Sequence, residues 1–301
     1  MLAHVGSGAF VPLQLLPAIV SGVLYALRVH ALQNTPRAVP GWRQVAFYAG
    51  LLTIVTALAS PLGHLAEELF LAHMVEHLLI ADVGALLLVL GLTGPVLAPL
   101  LRVGLLGPLR ALGHPVVAFG LWTANLALWH IPVLHEAAVR HEALHALQHA
   151  GFVAGGFGVW MALLGPLPTP MWFGNGARAA YIIAVRMVGA VLANVFVFGG
   201  GAFYDVYAPG AAYWGISPEA DQVTAGAIMM TWESLLTLGL FCWLFMKSAR
   251  EGEERQELLD LARTRGVPLT AERAGRAVGA GRGAELRRRI ESGWAPQPDR
   301  G

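Results

Sequence analysis

Long apolar stretches broken by short polar segments dominate the first 246 residues. Seven windows each carry about 20 mostly apolar residues, the length that crosses a bilayer core as a helix. They fall at about 10–28, 44–60, 69–91, 115–134, 145–165, 179–200 and 222–246. The breaks hold Pro, Gly and charge, as in Asn34-Thr-Pro-Arg37, Gly107-Pro108, and Pro166-Leu-Pro168 with Pro170, which suits turns rather than helix interiors. This pattern predicts an all-α polytopic membrane protein with a seven-transmembrane-helix bundle over residues 1–246. Gly151, Gly155, Gly156 and Gly158 in the fifth window suit close approach of helix backbones. From Lys247 the character changes. A charged stretch, expected to be helical, runs to Arg263, and the sequence then turns rich in Gly, Ala and Arg. Residues 247–301 therefore read as a tail, partly helical and then mobile over about the last 35 residues. Arg287-Arg-Arg289 within it suits anionic lipid.

Composition agrees with the pattern. Of the 301 residues, 56% are hydrophobic and only 13% charged, well below the roughly 25% charged residues of a soluble domain. Twelve of the 20 Lys and Arg lie after residue 246. The net charge of +1 carries no nucleic-acid signature, and nucleic acid is not an expected partner. Arg28, Arg37, Arg43, Arg102, Arg110 and Arg178 fall in or beside the odd-numbered connections. The even-numbered ones carry Arg140 alone, against Glu67, Glu68, Glu136, Glu142, Asp205, Glu219 and Asp221. The positive-inside rule then predicts N-terminus out and C-terminus in, with a cytoplasmic tail. The start of the chain reads as an uncleaved first span. A single cysteine, Cys242, excludes an intrachain disulfide and a cysteine-based metal cage.

Two histidine pairs carry the chemistry. His73/His77 and His145/His149 are each spaced i, i+4, so both imidazoles of a pair share one helix face. Imidazole is costly to bury in lipid without a partner. With the predicted topology, helices three, four, five and seven bring His73, His77, His130, His145, His149, Asp221, Met229 and Met230 into one outer-leaflet slab, with Glu76 beside the first pair. Histidines with thioether neighbours suit copper, while imidazole with carboxylate also suits zinc. A bis-histidine haem site, with one axial ligand from each pair, is an alternative. His141-Glu142-x-x-His145 matches H-E-x-x-H, whose histidines bind zinc beside a glutamate base in metalloproteases. His141, however, falls in a connection rather than in a span, and no acidic motif supplies a third ligand. Deeper in the membrane, Asp82, Arg186 and Glu233 form a charged group in which Arg186 is expected to pair with Glu233.

The chain resembles the integral-membrane, bacterial caa3-type cytochrome c oxidase assembly factors. The resemblance rests on Ser60-Pro61-Leu62, His73-Met-Val-Glu-His77-Leu-Leu, Gly94-Pro95, Trp129-His130-Ile-Pro132 and His145-Ala-Leu-Gln-His149 with Trp160. Asp221-Gln222, Ala225-Gly226 and Met229 to Trp232 complete it. It implies a functional set of His73, His77, His130, His145, His149 and Asp221, and His141 and Glu142 lie outside that pattern. Gln148 stands where the family often has Glu. The resemblance further implies a non-enzymatic, multi-pass protein of the bacterial plasma membrane that aids copper-centre maturation. Its implied partners are terminal-oxidase subunits, a copper chaperone and the lipid bilayer.

Overall fold

A computed structural model describes residues 11–103 and 113–293, with side chains from Leu15. The Gly107-Pro108 break, Arg110 and residues 294–301 lie outside the described residues. Every described regular element is helical. Among the described residues, six helices are long and apolar enough to cross a membrane, and a bent pair supplies a seventh crossing if it counts as one span. The protein is therefore an all-α membrane protein. The described residues form two compact units. One runs to Met171 and resumes over Ile183–Ser234, and the other comprises Trp172–Ile182 and the chain from Leu235.

In the larger unit, α1 (Val11–Leu32) and α2 (Gly41–Ala59) are followed by a short α3 (Pro61–Glu68). Ser60 starts α3 by accepting the Leu62 N–H at 3.2 Å, with Pro61 in the first turn, where its missing N–H costs nothing. The third span covers Phe70–Gly91 in three pieces: α4 (Phe70–Leu78), a wide π-helical turn over Leu79–Gly84, and α5 (Ala85–Gly91). This span packs against α2 and against α9 (Glu142–Leu164). The Trp160 indole of α9 donates to the Ala81 carbonyl within the wide turn at 3.2 Å. A Cβ on Gly156 would fall 2.1 Å from that same oxygen, so a side chain there would drive the two helices apart. Of the α9 glycines read as packing positions, Gly156 marks the tightest approach.

The fourth window does not run straight. After α6 (Gly94–Arg102), α7 (Pro115–Trp129) stops at His130, and α8 (Pro132–Arg140) leaves it at 76°. Pro132 causes the break, because it lacks an N–H and pushes Ile131 into the extended conformation seen there (ψ 124°). The unit is completed by the later part of α10 (Asn175–Phe198), from Ile183, with α11 (Ala208–Tyr213) and the start of α12 (Pro218–Thr264). Phe70, Met74, Phe196, Tyr204, Tyr207 and Met229 form its aromatic and thioether core.

In the second unit, α13 (Ala271–Gly279) and α14 (Gly283–Glu291) follow α12 and bury Val278, Leu286 and Ile290 against Leu258 and Ala262. Thr270 caps α13 by accepting the Arg273 N–H at 3.2 Å, and Arg287 pairs with Glu257. Ala274/Val278 and Leu286/Ile290 are each spaced i, i+4, enough for one apolar stripe per helix. The surrounding Gly and Arg hide that periodicity in the composition.

Candidate metal centre

His73 and His77 lie on successive turns of α4 with their rings 4.2 Å apart, and both are buried. His145 and His149 repeat the arrangement on the first turns of α9, also at 4.2 Å. The pairs face each other. His73 stacks nearly parallel to His145 at 5.4 Å, and His77 meets His149 edge-on at 5.6 Å. Helices three and five thus bring both sequence-predicted pairs to one place.

Glu76 completes the group. It is 1% exposed, and its carboxylate comes within 3.3 Å of His149 Nε2. One donor atom each from His73, Glu76 and His145 fall within 4.8 Å of one another. Ligands about 2.0–2.2 Å from a zinc-sized ion stand up to ~4 Å apart, so small side-chain rotations would close the set on one ion. Both ring nitrogens of His73, His77 and His149 are buried without a hydrogen bond, as are His145 Nε2 and one Glu76 oxygen. Each buried, unpaired polar group costs roughly 1–3 kcal/mol. A cluster of such groups converging on one point could hold a metal ion, and nitrogen donors with one carboxylate fit copper or zinc.

The remaining predicted residues divide into two kinds. His130 sits at the α7–α8 bend, where its Nδ1–H donates to the Leu126 carbonyl at 2.7 Å. That bond fixes the tautomer, because a carbonyl only accepts, and it leaves the Nε2 lone pair buried and unpartnered. Met229 packs with Met74 and Phe70 in the aromatic core, and Met230 lies at its edge. Asp221 meets the start of α4. Its two carboxylate oxygens accept the Phe70 and Leu71 N–H groups at 2.7 and 2.9 Å, satisfying the first turn of the helix that carries His73 and favouring the positive end of its dipole. The neighbouring Gln222 accepts the Phe203 N–H at 2.7 Å and donates to the Gly201 carbonyl at 2.8 Å. The Asp221-Gln222 pair therefore positions α4 and the 199–204 loop.

His135 escaped the sequence reading. It is fully buried on α8, with its ring 4.8 Å from His73. Its Nδ1–H donates to the Trp129 carbonyl at 3.3 Å, and the Tyr207 hydroxyl donates to its Nε2 at 2.9 Å. Because both nitrogens are used, His135 holds the wall of the cluster. The only signal for it was its place just beyond the Pro132 bend, which returns the chain to the bundle. Gln148 is wholly buried with neither amide atom hydrogen-bonded.

Below the cluster, Arg186 stands 3.8 Å from Asp82, which also accepts the Trp232 indole N–H at 3.0 Å. Glu233, the partner expected for Arg186 from the sequence, lines the same cavity as Arg186 and Asp82. That cavity, about 50 Å³, admits a few waters. His141 is exposed and extended at the residue before α9 (φ −128°, ψ 109°). H-E-x-x-H therefore does not place two histidines on one helix face here.

Uncharacterised proteins of Mycobacterium bovis and Mycobacterium tuberculosis are each 25% identical over 256 residues, covering 77% of this chain and 38% of theirs. One from Mycobacterium leprae is 24% identical over 259 residues, covering 78% and 38%. The chain thus spans about two-fifths of the length of the curated relatives it matches. No solved structure matches. The family model for cytochrome c oxidase caa3 assembly factors matches residues 23–251, a stretch that includes every histidine of the cluster, and the chain belongs to that family.

Proposed function

We propose that this protein serves oxidase assembly by holding copper in the cluster of His73, Glu76, His77, His145 and His149 and yielding it to a haem-copper oxidase. The observation that carries the reading is the convergence of two i, i+4 histidine pairs whose buried ring nitrogens have no other partner. Copper is the cargo, and the role is non-catalytic. Imidazoles and a single carboxylate bind through neutral nitrogens and one oxygen, so ligands can be exchanged one at a time rather than locked in a closed thiolate cage. Asp221, Tyr207 and His135 keep α4 and α8 in place while the ligand set changes partners. The implied recipients are terminal-oxidase subunits, and the implied donor is a copper chaperone.

We assign the cluster to the outer side of a bacterial plasma membrane. Arg28, Arg43 and Arg102 belong to the opposite end of the bundle, and the acidic Glu68, Glu136 and Asp205 to the histidine end, as the positive-inside rule requires. In a Cys242→Ser background, a cysteine replacing Arg140 should react with an impermeant thiol reagent in intact cells, and one replacing Arg102 should not. Equal labelling defeats the orientation.

The functional test is His77→Ala. Ala is the best helix former, so the variant should accumulate at a near-normal level yet retain at least about tenfold less copper. Cells carrying it should show lower activity of the copper-containing oxidase. Normal copper content and normal oxidase activity in this variant overturn the proposal.

A further inference from the structure

We infer that the bundle contains a second copper stop, softer than the first, built from the thioethers of Met74 and Met229 and the imidazoles of His77 and His130. The inference rests on copper being the cargo. It adds a distinct site selective for the reduced ion.

These four side chains line one cavity of about 50 Å³, and they come from three elements: α4, the α7–α8 bend and α12. Both methionines are almost fully buried, at 2% and 5% exposure. His130 offers a single lone pair, because its Nδ1–H is committed to the Leu126 carbonyl at 2.7 Å. That lone pair, on Nε2, is buried without a partner. The His77 nitrogens are likewise buried and unbonded. The Phe152 ring, 4.2 Å from His77 and 5.9 Å from His130, walls the site with apolar surface.

Donor chemistry separates the two stops. His73, Glu76 and His145 present nitrogen and oxygen, a set that suits a divalent ion. Two thioethers with two imidazoles suit Cu(I), since soft sulfur favours the reduced ion. His77 belongs to both neighbourhoods, facing His149 on one side and the methionine-lined cavity on the other. It is the hinge ligand between them. Arg186, Asp82 and Glu233 line the far side of the same cavity.

The test uses the full chain in detergent, loaded separately with Cu(I) under ascorbate and with Cu(II). Copper-edge X-ray absorption of the Cu(I) form should show sulfur scatterers. In M74L/M229L, which conserves side-chain volume, Cu(I) affinity should fall by about tenfold or more while Cu(II) affinity stays within about twofold. H73A/H145A should show the reverse. A wild-type Cu(I) spectrum with only nitrogen and oxygen neighbours overturns the second stop and leaves the first intact. So does an equal loss of both affinities in M74L/M229L. If that variant fails to accumulate, the wild-type spectrum alone decides. Failure of the wild type to bind either ion defeats the copper reading itself.

Discussion

Where α1 ends and α5 meets α6, the Tyr25 hydroxyl donates to the Gly91 carbonyl at 3.0 Å, Arg28 holds the Pro95 carbonyl, and Arg43 reaches the Leu90 and Leu92 carbonyls at 2.9 Å each. At the other end, where α4 and α9 face each other, the imidazoles of His73, His77 and His149 make no hydrogen bond at all. Both regions are rich in polar groups and partly or wholly buried. In the first, long cationic side chains cover the carbonyls left over at helix ends, and the polar groups consume one another. In the second, the imidazoles face one another and the Glu76 carboxylate. Burial alone does not mark a functional site. The mark is a buried polar group with no partner while its neighbours, such as His135 and Asp221, are fully bonded.

That contrast can be broken by exchanging the two kinds of behaviour. The largest stability effect should come from Asp221→Ala, which strips two buried N–H groups at the start of α4 of their acceptor. A loss of about 2–3 kcal/mol is expected, read as earlier thermal unfolding in detergent. Copper bound per folded molecule should hold, because no ligand is removed. A variant of normal stability that loses copper would make Asp221 a ligand and undo its assignment to the helix cap.

A smaller effect is expected at the arginine end. Tyr25→Phe leaves the stack on Phe47, with centroids 3.8 Å apart, and removes only the bond to Gly91. A cost of about 1 kcal/mol follows, with no change in copper content by elemental analysis. Any copper loss in this variant would mean that the two ends are coupled.

His141→Ala should do least. The side chain is exposed at the boundary of α9, and surface substitutions of this kind stay within about 0.5 kcal/mol. Copper content and oxidase activity should be unchanged. Inactivity of this variant or of Glu142→Gln, with His77→Ala harmless, would shift the function from copper delivery to zinc-dependent hydrolysis.

The apolar windows made the spans legible, and i, i+4 spacing made both histidine pairs legible, because helix periodicity is a local property of the sequence. Three features were not local. Asp221 looked like a ligand because it lies level with the histidines; that its oxygens are taken by Phe70 and Leu71 depends on a contact across 150 residues. His135 was hidden by Pro132, which marks the end of a window but here bends the chain back against Tyr207. Glu76 was visible, but its inward aim depends on how α4 is rotated against α9. In the tail, Ala274, Val278, Leu286 and Ile290 carried a real helical period, diluted by Gly and Arg below what composition reveals.

The wide turn over Leu79–Gly84 sets the phase between the two halves of the third span. A helix advances about 100° per residue, and a π-helical turn accommodates one residue more than an α-helical path would. Closing that turn to ordinary α geometry with every residue kept would rotate everything after it by about 100° relative to His73 and His77. Ala85, Leu88 and Gly91 would then turn off the surfaces against which they pack, or the histidines would turn away from α9. One supernumerary residue thus acts as a vernier, letting a single helix aim its first half at an ion and its second half at its neighbours.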